Sequence, residues 1–173
     1  MRNQKGFTLF EAILYVSLIG FILVTLSSFV MQLMNARVKI QAQSEIMHSS
    51  RLFEERLSDA VRHAKSIQVG SSVFGTDPGV LSLEMIDPLK NPTVFRLNQD
   101  NGTLEVSEQG GAFVSLTTAK ISVTNLVFTN LTTVKDKGVV RAEWDLSTLN
   151  PSNTPFYSAT KSFQSSFRIP PLP

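Results

Sequence analysis

The chain contains no cysteine in its 173 residues. A disulfide framework and a thiolate-held metal are therefore excluded, while a reducing and an oxidising compartment both stay open. Charge is scarce too: Asp, Glu, Lys and Arg make up 17% of the residues, and 16 basic side chains face 14 acidic ones, a formal charge of +2. So slight a balance does not draw nucleic acid by charge alone. Proline is absent before Pro78, so no ring interrupts a helix in that stretch. Catalytic signatures are missing as well, with no G-x-S-x-G, no P-loop and no G-x-G-x-x-G. His48 and His63 lie fifteen residues apart without an H-E-x-x-H pattern and read as solvated helix residues. "NQDNG" at 98–102 has the oxygen-rich look of a calcium loop but lacks the downstream Glu, and Asn-Gly is a favoured hairpin turn. The triplets "NGT" and "NLT" fit the glycosylation pattern, which arises readily by chance in a Thr-rich chain. No catalytic residue, metal or cofactor is expected, and the length suits one domain with an extension.

What the chain does have is a long uncharged run. Ala12 to Ala36 are twenty-five residues without a charge, and about twenty apolar residues suffice to cross a bilayer as a helix. Arg2 and Lys5 precede the run and hold the short N-terminus on the cytoplasmic side. Arg37 and Lys39 follow it and weaken the charge asymmetry, so the shortness of the N-terminal flank sets the orientation. The run exceeds the roughly 7–15 apolar residues of a secretory signal peptide, and no convincing small-x-small cleavage site follows.

One acid, Glu11, stands at the start of this run. Thr8-Leu9-Phe10-Glu11 fits a capping box, with Thr8 as N-cap and Glu11 as N3, and an acid in the first turn suits the helix dipole. Yet Glu11 also lies just inside the apolar layer, where a charge costs up to about 2.5–3.5 kcal/mol at mid-depth and less toward the edge. An acid so placed calls for a named partner.

The surrounding residues suggest one. "KGFTLFE", from Lys5 to Glu11, resembles the prepilin signature of type IV pilins and type II secretion pseudopilins. The resemblance implies that Arg2 and Lys5 belong to a leader of residues 1–6, and that a membrane-embedded prepilin peptidase cuts between Gly6 and Phe7 and methylates the new Phe7 amine. It further implies that Glu11 pairs with the Phe7 amine of a neighbouring subunit as a registry mark, since opposite charges attract strongly in low dielectric. Loss of the leader would leave 14 basic and 14 acidic side chains, a formal charge of zero. Many pilins carry a proline in the middle of the apolar half; here only Gly20 and Ser27-Ser28 are candidate bends.

Helical periodicity continues past the apolar run. Ala42, Ile46, Phe53, Leu57, Ala60 and Ala64 form one stripe, widened by Leu52 and Val61, with charged residues opposite. Arg51 with Glu55 and Asp59 with Arg62 are candidate ion pairs. The pattern predicts one helix from about Thr8 to Lys65, on the order of 85 Å long. Beyond Gly70 the period becomes two: Leu81, Leu83 and Met85; a hairpin of Phe95 and Leu97 with Leu104 and Val106; then Ile121 and Val123, a phase slip near Thr124–Asn125, and Leu126 and Phe128. Val140, Ala142, Trp144 and Leu146 follow, and then Phe163, Phe167 and Ile169. Six to eight strands after one helix make an α+β fold, with the stripe from Ala42 to Ala64 covering an antiparallel sheet. The expected divisions are a leader at 1–6, a membrane-spanning half-helix at 7–36, an amphipathic half-helix at 37–68 and a β-rich head at 69–173.

Within the family, "RLFEERLSDAVRHA", "VTNLVFTN" and "SFQSSFRI" resemble J-type minor pseudopilins and W-type minor pilins. Glu11 argues against the K-type tip pseudopilin, which lacks this acid. The resemblance implies a structural, minor subunit near the tip of a pilus or pseudopilus. It implies assembly from the inner membrane with the head outside the cytoplasm, other pilin or pseudopilin subunits and the prepilin peptidase being the partners. A DNA-uptake pseudopilin and a single-pass membrane-anchored binding domain are the alternatives.

Overall fold

The computed structural model describes residues 8–133, 138–151 and 157–171. Helix α1 runs over Leu9–Arg62. Eight strands follow: β1 Ala64–Ile67, β2 Val80–Met85, β3 Thr93–Asn98, β4 Thr103–Glu108, β5 Val114–Ser115, β6 Ile121–Asn130, β7 Val139–Thr148 and β8 Thr160–Arg168. The fold is α+β, one long N-terminal helix with antiparallel sheets. Two compact units divide the chain, Met1–Val38 and Lys39–Pro173.

In the first unit the described chain is helix apart from Thr8, and the helix continues through Gly20 and Ser27-Ser28. Its hydroxyls turn inward: Ser17 Oγ donates to the Leu14 carbonyl and Thr25 Oγ1 to the Ile22 carbonyl, both at 2.9 Å. Back-bonding of this kind keeps polar atoms off an apolar helix surface.

In the second unit the stripe on α1 meets the strands. Ala42, Ile46, Phe53, Leu57, Ala60 and Val61 are buried, and Leu52 is half-buried. The expected helix end at Lys65 is corrected. Helix α1 stops at Arg62, and Ala64–Ile67 instead form β1, with Ala64 paired to Met85 and Ile67 to Leu83. Lys65 and Ser66 both donate to the Glu84 carboxylate at 2.7 Å, so bonds to a residue distant in sequence outweigh a weak local helix preference. The strands form two sheets where one was expected, a five-stranded meander β1-β2-β3-β4-β5 and a three-stranded meander β6-β7-β8.

The turn before β2 sews the sheets together. Gly79 N–H donates to the Leu126 carbonyl at 2.7 Å, Gly75 N–H to the Phe128 carbonyl at 2.8 Å, and Leu126 N–H to Asp77 Oδ1 at 2.8 Å. A Cβ at Gly79 would stand 3.0 Å from the backbone of Leu126 and Phe128, tighter than ordinary contact, so a larger residue would require this backbone to give by a few tenths of an ångström. The β3–β4 hairpin turns through "NQDNG", with Gly102 at φ +61 and Asp100 N–H donating to Asn98 Oδ1. The phase slip in β6 is a register shift between Val123 and Asn125.

The alternating residues of β2, β3, β6 and β7 are buried as their spacing predicts. At the centre, Phe53 of α1 meets Trp144 edge-on at 5.1 Å and Phe95 edge-on at 6.2 Å, while Phe163 stacks on Trp144 at 5.8 Å. Pairs of this geometry add about 0.5–1.5 kcal/mol beyond area burial. Trp144 Nε1 donates to Ser50 Oγ at 3.1 Å, which satisfies the one polar atom of the ring.

Candidate functional site

The first candidate surface is the apolar half of α1. From Leu9 to Met34 its large hydrophobic side chains are exposed, and nothing in its most apolar eighteen-residue window is buried. A helix of this length and composition, near the N-terminus, is long and apolar enough to cross a membrane. An exposed apolar row of this extent marks a surface suited to a membrane or to other apolar partners.

The start of this surface is capped as the sequence predicts. Glu11 N–H donates to Thr8 Oγ1 at 3.3 Å, and Ala12 N–H donates to the Thr8 carbonyl at 3.1 Å. Half of the capping box is thus in place. Glu11 is half-buried at the head of this row. Arg2, Lys5, Gly6 and Phe7, the predicted leader and cleavage residues, lie outside the described residues.

A second set of functional groups joins α1 to the strands within the second unit, and sequence reasoning missed it. Glu45 accepts from Tyr157 Oη at 2.8 Å, Lys120 Nζ at 3.0 Å and, more weakly, Gln41 Nε2 at 3.5 Å. Desolvation pushes the Glu45 pKa up, but the bonds from Tyr157, Lys120 and Gln41 together outweigh it and hold the carboxyl below its ordinary value. Glu54 accepts from Ser165 Oγ at 2.9 Å. With Trp144 on Ser50, these contacts pin one turn after another of α1 to β7, β8 and the segments beside them. No local pattern announces them, because the partners are up to 112 residues apart.

Of the two predicted helix ion pairs, Arg51 Nε lies 2.8 Å from Glu55 Oε1. Asp59 has His63 rather than Arg62 at ion-pair distance, 3.3 Å from Oδ1 to Nδ1. The same His63 nitrogen lies 2.9 Å from the Asp59 carbonyl, a contact that closes the end of the helix. His48 is exposed. Among the described residues no group of three or more His, Asp or Glu side chains could hold a metal ion.

Set against models of protein families, curated proteins and solved structures, the chain finds no match. Its class therefore stands on its own geometry: an α+β protein whose N-terminal helix begins as a membrane-length apolar rod and continues as the packed cover of two sheets.

Proposed function

We propose that the chain is a structural subunit, minor and near the tip, of a type IV pilus or a type II secretion pseudopilus. It is made as a precursor, cut between Gly6 and Phe7, methylated on the Phe7 amine and assembled through its N-terminal helix. The precursor crosses the inner membrane once, with its N-terminus cytoplasmic and its head outside. One observation carries the reading. The half-buried Glu11 opens a row of exposed apolar side chains, on a helix long and apolar enough to cross a membrane. A lone acid there is costly in hydrocarbon, and the Phe7 amine of a neighbour would answer it. The prepilin-like "KGFTLFE" supplies that amine at the right place.

Processing is the direct test. Expressed beside a prepilin peptidase, the wild-type chain should lose Met1–Gly6 and begin with N-methylated Phe7, as read by intact mass and N-terminal sequencing. Gly6→Leu, too bulky for the peptidase, should leave the 19.1 kDa precursor in the membrane. Processing of Gly6→Leu at the wild-type rate would place the junction elsewhere. The alternative, a single-pass anchored binding domain, is favoured by a cavity in the head, lined in part by Ala60 and Phe95. A protein of that kind keeps Met1, so the same mass measurement separates the two.

A further inference from the structure

Strand β8 is the outer strand of the three-stranded sheet, paired with β7 on one side. The phase of that pairing decides which of its main-chain groups are left over. Ile169 N–H donates to the Gly138 carbonyl at 2.9 Å, and Thr148 N–H donates to the Ala159 carbonyl at 3.0 Å. Both contacts fall on the register that sets Trp144 opposite Phe163, and hydrogen-bonded pairs recur at every second residue of an antiparallel ladder. Lys161, Phe163, Ser165 and Phe167 therefore bond to β7. Thr160, Ser162, Gln164 and Ser166 turn their N–H and C=O groups away from it, and all four residues are exposed.

The other sheet edges are short or closed. β5 has two residues, and β1 has four with a register shift between Ala64 and Ser66. β6 is covered by the Gly75 and Gly79 N–H groups, which donate to its carbonyls. Shortness, irregularity and cover are guards against unwanted pairing, as are proline and lysine. β8 has nine residues, no proline, no glycine and an unbroken register. Its one lysine, Lys161, is turned toward α1, with Nζ 3.4 Å from Met47 Sδ. A long edge of this kind is a template for an added strand.

The surroundings of β8 narrow what that strand is. β8 runs in the same direction as the part of α1 beside it, since Lys161 meets Met47 and Ser165 meets Glu54. Two copies joined antiparallel through β8 would set their α1 helices in opposite directions, and both N-termini could not then enter one membrane from the same side. The occupant is therefore a segment of another protein. A groove lies between α1 and Phe167 of β8. Its lining carries three carboxylates, Glu54, Glu55 and Asp59, against two guanidiniums, Arg51 and Arg62. The excess of one negative charge favours a basic side chain where the added strand faces α1.

We propose that β8 is a docking edge for an extended segment of a partner protein, added antiparallel to it, with a lysine or arginine facing α1. The exclusion of a second copy rests on the membrane reading of α1, while the test concerns the head and does not depend on processing at Gly6. The full chain is placed in lipid nanodiscs, and amide hydrogen exchange is read residue by residue as acetyl-Thr-Val-Thr-Lys-Thr-Val-Thr-amide is titrated in. Without peptide, the amides of Ser162, Gln164 and Ser166 should exchange fast and those of Phe163, Ser165 and Phe167 slowly. Peptide should slow the first set and leave the second unchanged. In the antiparallel pair the peptide's threonines turn their N–H groups to β8. N-methylation of its third and fifth residues removes two such bonds and should weaken binding by about tenfold or more, whereas N-methylation of its two valines should leave binding nearly unchanged. A Lys→Glu peptide should bind several-fold more weakly. In the double variant Glu55→Lys/Asp59→Lys that preference should reverse, a gain that a merely damaged fold would not give. Outward amides that are slow before peptide is added or stay fast after it, an equal loss from both N-methylated peptides, or an unreversed charge preference overturns the proposal. So does slowing that appears on raising the protein concentration without peptide, because the occupant is then a second copy.

Discussion

Substitution of Glu11 by Gln separates a cap from a pairing residue. The cap contribution is small on geometric grounds. Glu11 N–H reaches Thr8 Oγ1 at 3.3 Å, beyond the usual N–H···O range, so the bond lies at the low end of the roughly 0.5–2 kcal/mol that N-caps contribute. That bond uses the backbone of residue 11, and Gln serves at N3 as Glu does. A cap-only role therefore predicts that Glu11→Gln is nearly silent, with Thr8→Ala the more harmful of the two. If the carboxylate meets the Phe7 amine of a neighbour, Gln leaves that amine charged and unpaired in a dry helix bundle. Breaking a buried pair costs about 3–5 kcal/mol, which is a factor of about 100 or more in incorporation at roughly 1.4 kcal/mol per decade. The assay is cross-linking of Glu11→Gln, Thr8→Ala and wild type into sheared filaments after co-expression. Insertion and cleavage should be normal for all three, with only Glu11→Gln failing to assemble. Incorporation of Glu11→Gln equal to wild type refutes the pairing and leaves the cap. A mild defect argues for the extreme tip, where no further neighbour supplies the amine.

Two further predictions concern the head. Phe53→Ala removes a ring that is 1% exposed and touches both Phe95 and Trp144; a loss of about 3–5 kcal/mol is expected, read from urea unfolding through Trp144, the chain's single tryptophan. A loss under about 2 kcal/mol would contradict the packing described. The second is a pH effect at Glu45, whose folded pKa is depressed below the ordinary value of 4.5. Such a group contributes stability that is present above its unfolded pKa and is lost as pH falls through the lower folded pKa. Unfolding midpoints measured downward from about pH 5 should therefore fall more steeply for wild type than for Glu45→Gln, with Tyr157→Phe in between; parallel curves would sink the assignment.

Much of the fold is legible because its signals are local. The stripe from Ala42 to Ala60 is a helix repeat, the alternation in β2, β3, β6 and β7 is a strand repeat, and Asn-Gly in "NQDNG" fixes a hairpin. Even the shift between Val123 and Asn125 shows as a one-residue slip of phase. What was not legible depends on distant partners. Ala64 falls on the helical stripe, and only its pairing with Met85 reveals a strand. Division into two sheets leaves no mark on the spacing of apolar residues. Ser49 and Ser50 are buried although no hydropathy stripe includes them, and the reason for Ser50 is Trp144 Nε1, 94 residues away.

The two acids Glu11 and Glu45 lie on the same helix, and comparing them bears on the proposed function. Both stand beside apolar surface, where an ionised carboxylate persists only if donors replace the water it gives up. Glu45 has three such donors, from Gln41, Lys120 and Tyr157, and their combined effect on its pKa exceeds that of desolvation. The head thus meets the requirement from its own chain. Glu11 would face the same requirement with the apolar half of α1 in hydrocarbon, and the hydroxyls of Ser17 and Thr25 are committed to backbone carbonyls. In the proposed assembly its donor comes from a neighbouring subunit. A free main-chain amine is a donor of opposite charge that needs no side chain, and a cut between Gly6 and Phe7 would create one four residues before Glu11. Without the cut, that nitrogen stays a neutral amide and Glu11 has no cation to meet. Cleavage and pairing therefore stand or fall together. Gly6→Leu should reproduce the assembly defect of Glu11→Gln, and a Gly6→Leu precursor that entered filaments uncleaved would break the link between them.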